Sequence, residues 1–359
     1  MAKILVVDDS ALMRRLITSA LTDVGHTVQA ARTGTEGVQM LTDWQPDAVT
    51  LDINMPEMDG LTALSLMMQA RPTPVVMVSS LTPEGAVATF EALALGAVDF
   101  IAKPGGTISL SIDDIRDELI GKVGAALRSR PRGRALPAAR SSAPAAAAAP
   151  ARPAAAVSTP PAGKGVVRSV PGVVVIGVST GGPRTLEDIL PLLPADLAWP
   201  VVIAQHMPSN FTDAFSRRMD RLCRLTVREV ASVLPLEPGH AYIGKGGTDV
   251  VVSERLGRLV VMPRPETPGH AWHPSVQLLV ESAMKWLPPR QIIGVQLTGM
   301  GDDGARAMAQ LKTDGGRTIA ESEDSAVVFG MPAELIALGG ASLVLPANRI
   351  AQQLRGWIA

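Results

Sequence analysis

Short, solidly apolar runs alternate with amphipathic stretches along the first third of the chain. Ile4-Leu5-Val6-Val7 precedes a helical pattern over Ala11 to Val24, Val28 to Ala31 precedes Glu36 to Trp44, and Ala48 to Ile53 precedes Leu61 to Ala70. The series continues with Val75-Val76-Met77-Val78 ahead of Gly85 to Leu95, and with Phe100-Ile101 ahead of a last helix from about Asp113. Runs that are apolar on both faces belong to buried parallel strands, and five strand–helix units in succession predict an α/β fold, a (βα)5 doubly wound sheet over residues 1–122. A second set begins at Val173 to Val178, which runs into Ser179-Thr180-Gly181-Gly182 and a helical pattern over Pro183 to Leu193. Val201 to Gln205 and Ile292 to Leu297 are further buried strands, so residues 171–359 read as another α/β domain with a mainly parallel sheet.

Between the two patterns the composition changes. Residues 123–170 are rich in Ala, Pro and Arg, contain no acid and lack the apolar bulk to offset ordering, which predicts a flexible, partly extended linker. Arg128, Arg130, Arg132 and Arg134 could touch nucleic acid or lipid headgroups, but the stronger reading is a solvated basic tether. The 359 residues suit two domains, and a formal net charge of -1 gives no overall basicity for nucleic acid. Cys223 is the only cysteine, which excludes an intrachain disulfide and fits a reducing compartment. With no signal-like start and no apolar run long enough to span a bilayer, the chain is expected to be cytoplasmic and not membrane-embedded.

In parallel sheets the working residues collect beyond the carboxyl ends of the strands. In the first segment those ends carry Asp8 and Asp9, Asp52, Ser79 and Lys103. Carboxylates gathered at one edge repel unless a cation lies between them, and all-oxygen ligation favours Mg²⁺. Each residue alone would be an ordinary surface polar group. Together, and with Asp52-Ile53-Asn54-Met55-Pro56 and Lys103-Pro104, they closely resemble the response-regulator receiver family. The resemblance implies that Asp52 is the phosphoacceptor and that Asp8, Asp9, Asp52 and the Asn54 carbonyl hold Mg²⁺. Ser79 and Lys103 would contact the phosphoryl group, and Phe100 would be the aromatic that moves with Ser79.

The second segment offers Ser179, His206 and the Asp302-Asp303 pair, each beyond an apolar strand. A nucleophile, a general base and an orienting acid need this convergence, and the glycines around Met300 would turn backbone N–H groups inward as an oxyanion hole. Singly, Ser179 could be a helix cap, His206 a hydrogen-bonded strand-end histidine and the aspartates a helix start. Gly177-Val178-Ser179-Thr180-Gly181 fits the nucleophile elbow of α/β-hydrolases, but His206 precedes Asp303 here, which is the wrong order for that family. His270 and His273, near Trp272, lack a clear third ligand and read as loop residues.

The order, the receiver in front and four motifs resemble the chemotaxis protein-glutamate methylesterase family of the CheB type. The motifs are Ser179-Thr180-Gly181-Gly182, Gln205-His206-Met207, Thr298 to Gly304, and Val327-Val328-Phe329-Gly330-Met331-Pro332. The resemblance implies Ser179 as nucleophile, His206 as base, Asp303 as orienting acid, and Thr180 and Met300 at the oxyanion hole, with no cofactor in the ester step. It also implies methylated chemoreceptors as substrate, glutamine deamidation beside ester hydrolysis, a chemotaxis-type histidine kinase as phosphodonor, and a receiver that covers the cleft until phosphorylated. Family members commonly read Arg-Pro-Ser-Val-Asp and Ala-Pro-Gly-Gly-x-His where this chain has His273-Pro274-Ser275-Val276-Gln277 and Gly244 to Asp249. Two other readings stay open. One is a receiver-controlled, non-catalytic binding module at Gly177 to Gly182. The other is a DNA-binding output, against which the absence of a basic recognition helix counts.

Overall fold

The computed structural model describes residues 1–80, 82–103, 112–129 and 170–358; of the predicted linker, residues 130–169 lie outside this set. The first segment runs β1 (Lys3–Val7), α1 (Ala11–Asp23), β2 (Thr27–Ala31), α2 (Gly34–Trp44), β3 (Ala48–Asp52), α3 (Gly60–Ala70), β4 (Val75–Ser79), α4 (Pro83–Leu95), β5 (Asp99–Ala102) and α5 (Ile112–Arg128). Its helices start where a short polar side chain can take an orphan amide: Ser10 accepts from Met13 N, Thr33 from Glu36 N, Asp59 from Thr62 N and Thr82 from Gly85 N. The strands pair in parallel in the order β2-β1-β3-β4-β5. Every residue of β3 and β4 is buried, Thr50, Asp52 and Ser79 included, as befits central parallel strands covered on both faces.

The second segment continues with β6 (Val173–Val178), α6 (Gly182–Ile189), β7 (Val201–Gln205), α7 (Ser209–Leu222), β8 (Thr226–Val230), β9 (Leu234–Pro235), β10 (His240–Gly244), β11 (Asp249–Arg255) and β12 (Arg258–Arg264). It ends with α8 (Val276–Trp286), β13 (Ile292–Gln296), α9 (Ala305–Thr313), β14 (Arg317–Glu321), α10 (Met331–Ala337), β15 (Leu343–Leu345) and α11 (Ala347–Ile358). Its main sheet has the order β15-β14-β13-β6-β7-β10-β8, parallel throughout. The helix expected over Pro183 to Leu193 ends as α at Ile189 and tightens into a 3-10 turn at Leu190–Leu192, where Pro191 cannot donate an amide. A three-stranded antiparallel sheet, β11-β12-β9, was not expected; its core face is made by Val250, Val252 and Val261.

That strand order positions the site. β6 lies between β13 and β7, and Gly177 pairs with both Ala204 and Gln296, so the three strands end level. The segments that follow them carry Ser179, Asp303 and His206 to one edge.

The two segments share a hydrophobic core. α4 of the first packs on α7 of the second, with the Phe90 ring 5.3 Å from Phe215 and edge-on to Phe211 at 6.5 Å. Phe100 meets Phe211 at 4.5 Å. Among the described residues no helix is long and apolar enough to cross a membrane.

Candidate active site and phosphoacceptor site

Ser179 follows β6 in a turn that only glycine permits. Gly181 has φ +78°, and a Cβ there would lie 2.5 Å from Val327. From the β13 side the chain approaches closely: a side chain on Gly299 would come within 2.7 Å of the Ser179 Cβ. The turn is tied down by its backbone, since the Ser179 amide donates to the Thr298 carbonyl at 2.9 Å and the Gln205 side chain donates to the Ser179 carbonyl at 3.0 Å.

His206 directs Nε2 to Asp303 Oδ2 at 2.9 Å, while its Nδ1 is buried without a partner among the described residues. Asp303 also receives the Ser275 hydroxyl at 3.1 Å and the amides of Val276 and Gln277 at 2.7 and 3.0 Å. The carboxylate therefore sits on the unsatisfied amides of the first turn of α8, where negative charge is favoured. Burial alone would raise its pKa, but the bond from His206 and those from Gln277 and Val276 outweigh it and hold the carboxyl below its usual range. The Trp272 indole stacks on the His206 ring at 5.1 Å and 9°. Sequence reasoning missed this role for Trp272 and saw Ser275 only within a motif.

A cavity of about 460 Å³ is lined by Ser179, Thr180, His206 and Met300, and closed on the other side by Asp99, Glu118 and Lys122 of the first segment. Two residues expected at the oxyanion hole are engaged by that segment. Thr180 faces Asp99 and lowers its pKa, and Met300 meets α5, its Sδ 3.9 Å from Arg128 Nη2 and its methyl against Gly121. Asp99 is fully buried, which raises its pKa against the lowering effect of Lys122. Lys122 Nζ lies 3.7 Å from Asp99 and 2.8 Å from Glu118, and donates to the Phe100 carbonyl at 2.5 Å. The acid before Phe100 and the lysine in α5 carried no motif that would have singled them out.

At the edge of the first sheet, ligand atoms of Asp8, Asp9 and Asp52 lie within 4.8 Å of one another. Lys103 Nζ is 2.6 Å from Asp52 and 3.4 Å from Asp8 Oδ2, an oxygen that is buried and makes no hydrogen bond. Burial pushes the Asp52 carboxyl up to about 6 and raises Asp8 as well, against the pull of Lys103. Such a set suits a divalent cation, which would supply the missing positive charge. Asn54 donates its amide to Asp52 at 3.2 Å. Ser79 is turned elsewhere: its buried hydroxyl donates to the Gly85 carbonyl and accepts from Thr89, on α4, at 2.8 Å.

The family model for the CheB methylesterase matches residues 174–354, and that for the response regulator receiver domain matches residues 4–111. The chain is 56% identical, over all of its length and 97% of the other, to a Rhodospirillum rubrum protein described as protein-glutamate methylesterase/protein-glutamine glutaminase 3. A Rhodopseudomonas palustris protein named the same way, numbered 2, is 47% identical over 99% of this chain and 98% of its own. The crystal structure of the Thermotoga maritima CheB methylesterase catalytic domain is similar at 37% identity and a TM-score of 0.49, covering 51% of this chain and 96% of that one.

Proposed function

The chain belongs to the CheB methylesterase family and carries a response regulator receiver domain, and from that premise we propose that Ser179, His206 and Asp303 hydrolyse glutamyl methyl esters, and deamidate glutamine, on chemoreceptors. The regulatory domain in this reading runs to Arg128, because α5 continues through Val123, Ala125 and Ala126, which are buried, past the boundary expected at residue 122; residues 171–359 are the catalytic domain. The observation that carries it is the His206–Asp303 bond at 2.9 Å, which leaves Nδ1 unpaired in a ring that shares its cavity with Ser179.

Asp303 fixes the imidazole with a proton on Nε2, so Nδ1 is the base. As Ser179 Oγ attacks the glutamyl carbonyl carbon, its proton passes to Nδ1, and the carbonyl oxygen becomes an oxyanion facing Thr180 and the Met300 N–H. Collapse breaks the bond to the alkoxy oxygen, which takes the proton from His206 and leaves as methanol. From glutamine, the nitrogen takes that proton and leaves as ammonia. Water then attacks the glutamyl-serine ester, giving its proton to Nδ1, and release of the glutamate carboxyl restores Ser179. No cofactor enters. Each oxyanion donor is worth about 10²- to 10³-fold in rate.

In the arrangement described, Asp99 faces Thr180 across the cavity and α5 contacts Met300, so in this reading the receiver covers the cleft and engages its oxyanion residues. Phosphorylation of Asp52 by a chemotaxis-type histidine kinase would draw Ser79 and Lys103 to the phosphoryl oxygens. Ser79 would then leave Thr89, the neighbour of Phe90 on α4, and Phe100 would repack beside it. Asp8, Asp9, Asp52 and the Asn54 carbonyl would hold Mg²⁺, whose charge offsets that of the phosphoryl group. The setting is the cytoplasm, with no nucleic-acid partner.

The test is methanol release from methylated chemoreceptor by the full chain and by Ser179→Ala, with and without acetyl phosphate and Mg²⁺. Release that needs Ser179 and rises with acetyl phosphate supports both parts of the reading. Equal release by the two proteins would refute the first, and release indifferent to acetyl phosphate the second.

A further inference from the structure

Two side chains in the wall of the cleft, Asp249 and His273, are bonded to each other. Asp249, the first residue of β11, is completely buried and its Oδ1 lies 2.9 Å from His273 Nδ1. The same carboxylate accepts the amides of Thr267 and Ser275, at 2.9 and 3.1 Å. Burial would raise its pKa, but the His273 and Thr267 bonds outweigh that and keep it ionised, so Nδ1 is the donor of the pair. The His273 carbonyl in turn accepts the Gly247 amide at 3.2 Å. The ring is thus fixed in the wall of the cavity that Ser179 and His206 line, with its side chain 16% exposed. With Nδ1–H committed, its remaining polar atom is Nε2, an acceptor in the neutral imidazole.

The two substrates of this site differ in a way that such an atom can read. The leaving nitrogen of glutamine carries two N–H donors, whereas the alkoxy oxygen of a glutamyl methyl ester carries none. An arginine at this position would offer only donors and could not accept from the amide. We propose that His273, oriented by Asp249, is a specificity-determining residue that accepts an N–H of the glutamine carboxamide and thereby favours deamidation over methyl-ester hydrolysis. The inference rests on the catalytic reading of Ser179 and His206 and adds the substrate preference of the same cleft. A site that hydrogen-bonds a substrate N–H discriminates more sharply than one that senses size, because an analogue lacking the N–H leaves a site atom unpaired.

The experiment compares ammonia and methanol release from one chemoreceptor cytoplasmic fragment carrying either glutamine or glutamyl methyl ester at its modification sites. The enzyme is the full chain activated with acetyl phosphate and Mg²⁺, at a pH of about 8.5, where an ordinary imidazole is neutral. His273→Arg is expected to lower kcat/KM for ammonia release about tenfold or more while methanol release stays within about twofold. His273→Gln, whose Oε1 can stand in for Nε2, is expected to keep more of the deamidation than His273→Leu. A parallel fall in both activities, an unchanged ratio, or a wild-type chain that releases methanol but no ammonia would overturn the proposal. Retention of both activities by Ser179→Ala would instead sink the catalytic reading beneath it.

Discussion

Phe90 is the side chain through which the closing of the cleft can be weighed. It stands on α4, 2% exposed, stacked on Phe215 and edge-on to Phe211 of α7. Truncation to alanine removes both ring pairs across the domain boundary. At about 0.5–1.5 kcal/mol for each pair beyond its area, the closed arrangement loses about 1–3 kcal/mol. Since about 1.4 kcal/mol is a factor of ten, the closed-to-open ratio falls about 5- to 150-fold. If closure limits the unphosphorylated enzyme, methanol release without phosphodonor rises by up to that factor, with the phosphorylated rate as its ceiling. Acetyl phosphate then adds correspondingly less. The assay is initial methanol release by Phe90→Ala and wild type with and without acetyl phosphate, with denaturant unfolding followed in parallel, since the ring also belongs to the receiver core. A folded variant with wild-type basal release and an undiminished response to acetyl phosphate would refute the idea that the α4–α7 contact holds the cleft shut.

Three other outcomes are expected. Asp303→Asn should lower kcat about 10³- to 10⁴-fold, read as methanol release, because the imidazole loses the partner that sets its tautomer. The pKa of Asp303 is depressed in the fold. Its contribution to stability is therefore full above an unfolded value of about 3.9 and is lost as pH falls through the lower folded value, so the variant's denaturant midpoint should change less with pH in that acid range. Asp52 has the opposite sign. Its carboxyl rises from 3.8 to about 6 on folding, so the metal-free receiver gains stability as pH falls from about 6 to about 4. Asp52→Asn should accordingly stabilise the chain at about pH 7.5 in chelator by about 1–2 kcal/mol, after allowance for the weakened Lys103 contact, and Mg²⁺ should raise the melting temperature of wild type but not of the variant. Trp272→Ala uncovers the His206 ring and its bond to Asp303; kcat should fall about 3- to 10-fold with a smaller change in KM, because a single stacked pair of about 0.5–1.5 kcal/mol is lost.

Much of the architecture was legible because parallel strands are buried on both faces and therefore appear as unbroken apolar runs. Val173 to Val178 and Val75 to Val78 could be read in no other common way, and the rule that strand ends collect at one edge then gathered Asp8, Asp52 and Lys103, and Ser179 and His206, without any contact being known. The main strand order was not legible, since β8 and β10 are short and mixed in pattern, and β10 joins β7 only after an intervening strand has been laid outside it. The antiparallel sheet escaped for a related reason: β11 and β12 are half-exposed, and nothing in the pattern around Asp249 says that folding will bring it to His273. Contacts between domains were least legible. Asp99 and Thr180 each suit their own strand end, and nothing in either pattern says that one will meet the other.

The loop that leads into α8 has a further use. The amide protons of Thr267 and Ser275 are held by Asp249, and those of Val276 and Gln277 by Asp303. Four consecutive-region backbone protons thus end on the two carboxylates that orient the cleft's histidines. Their hydrogen-exchange rates and amide chemical shifts are a ready spectroscopic gauge of the ionic state of the site, readable in the resting enzyme without substrate, product or label.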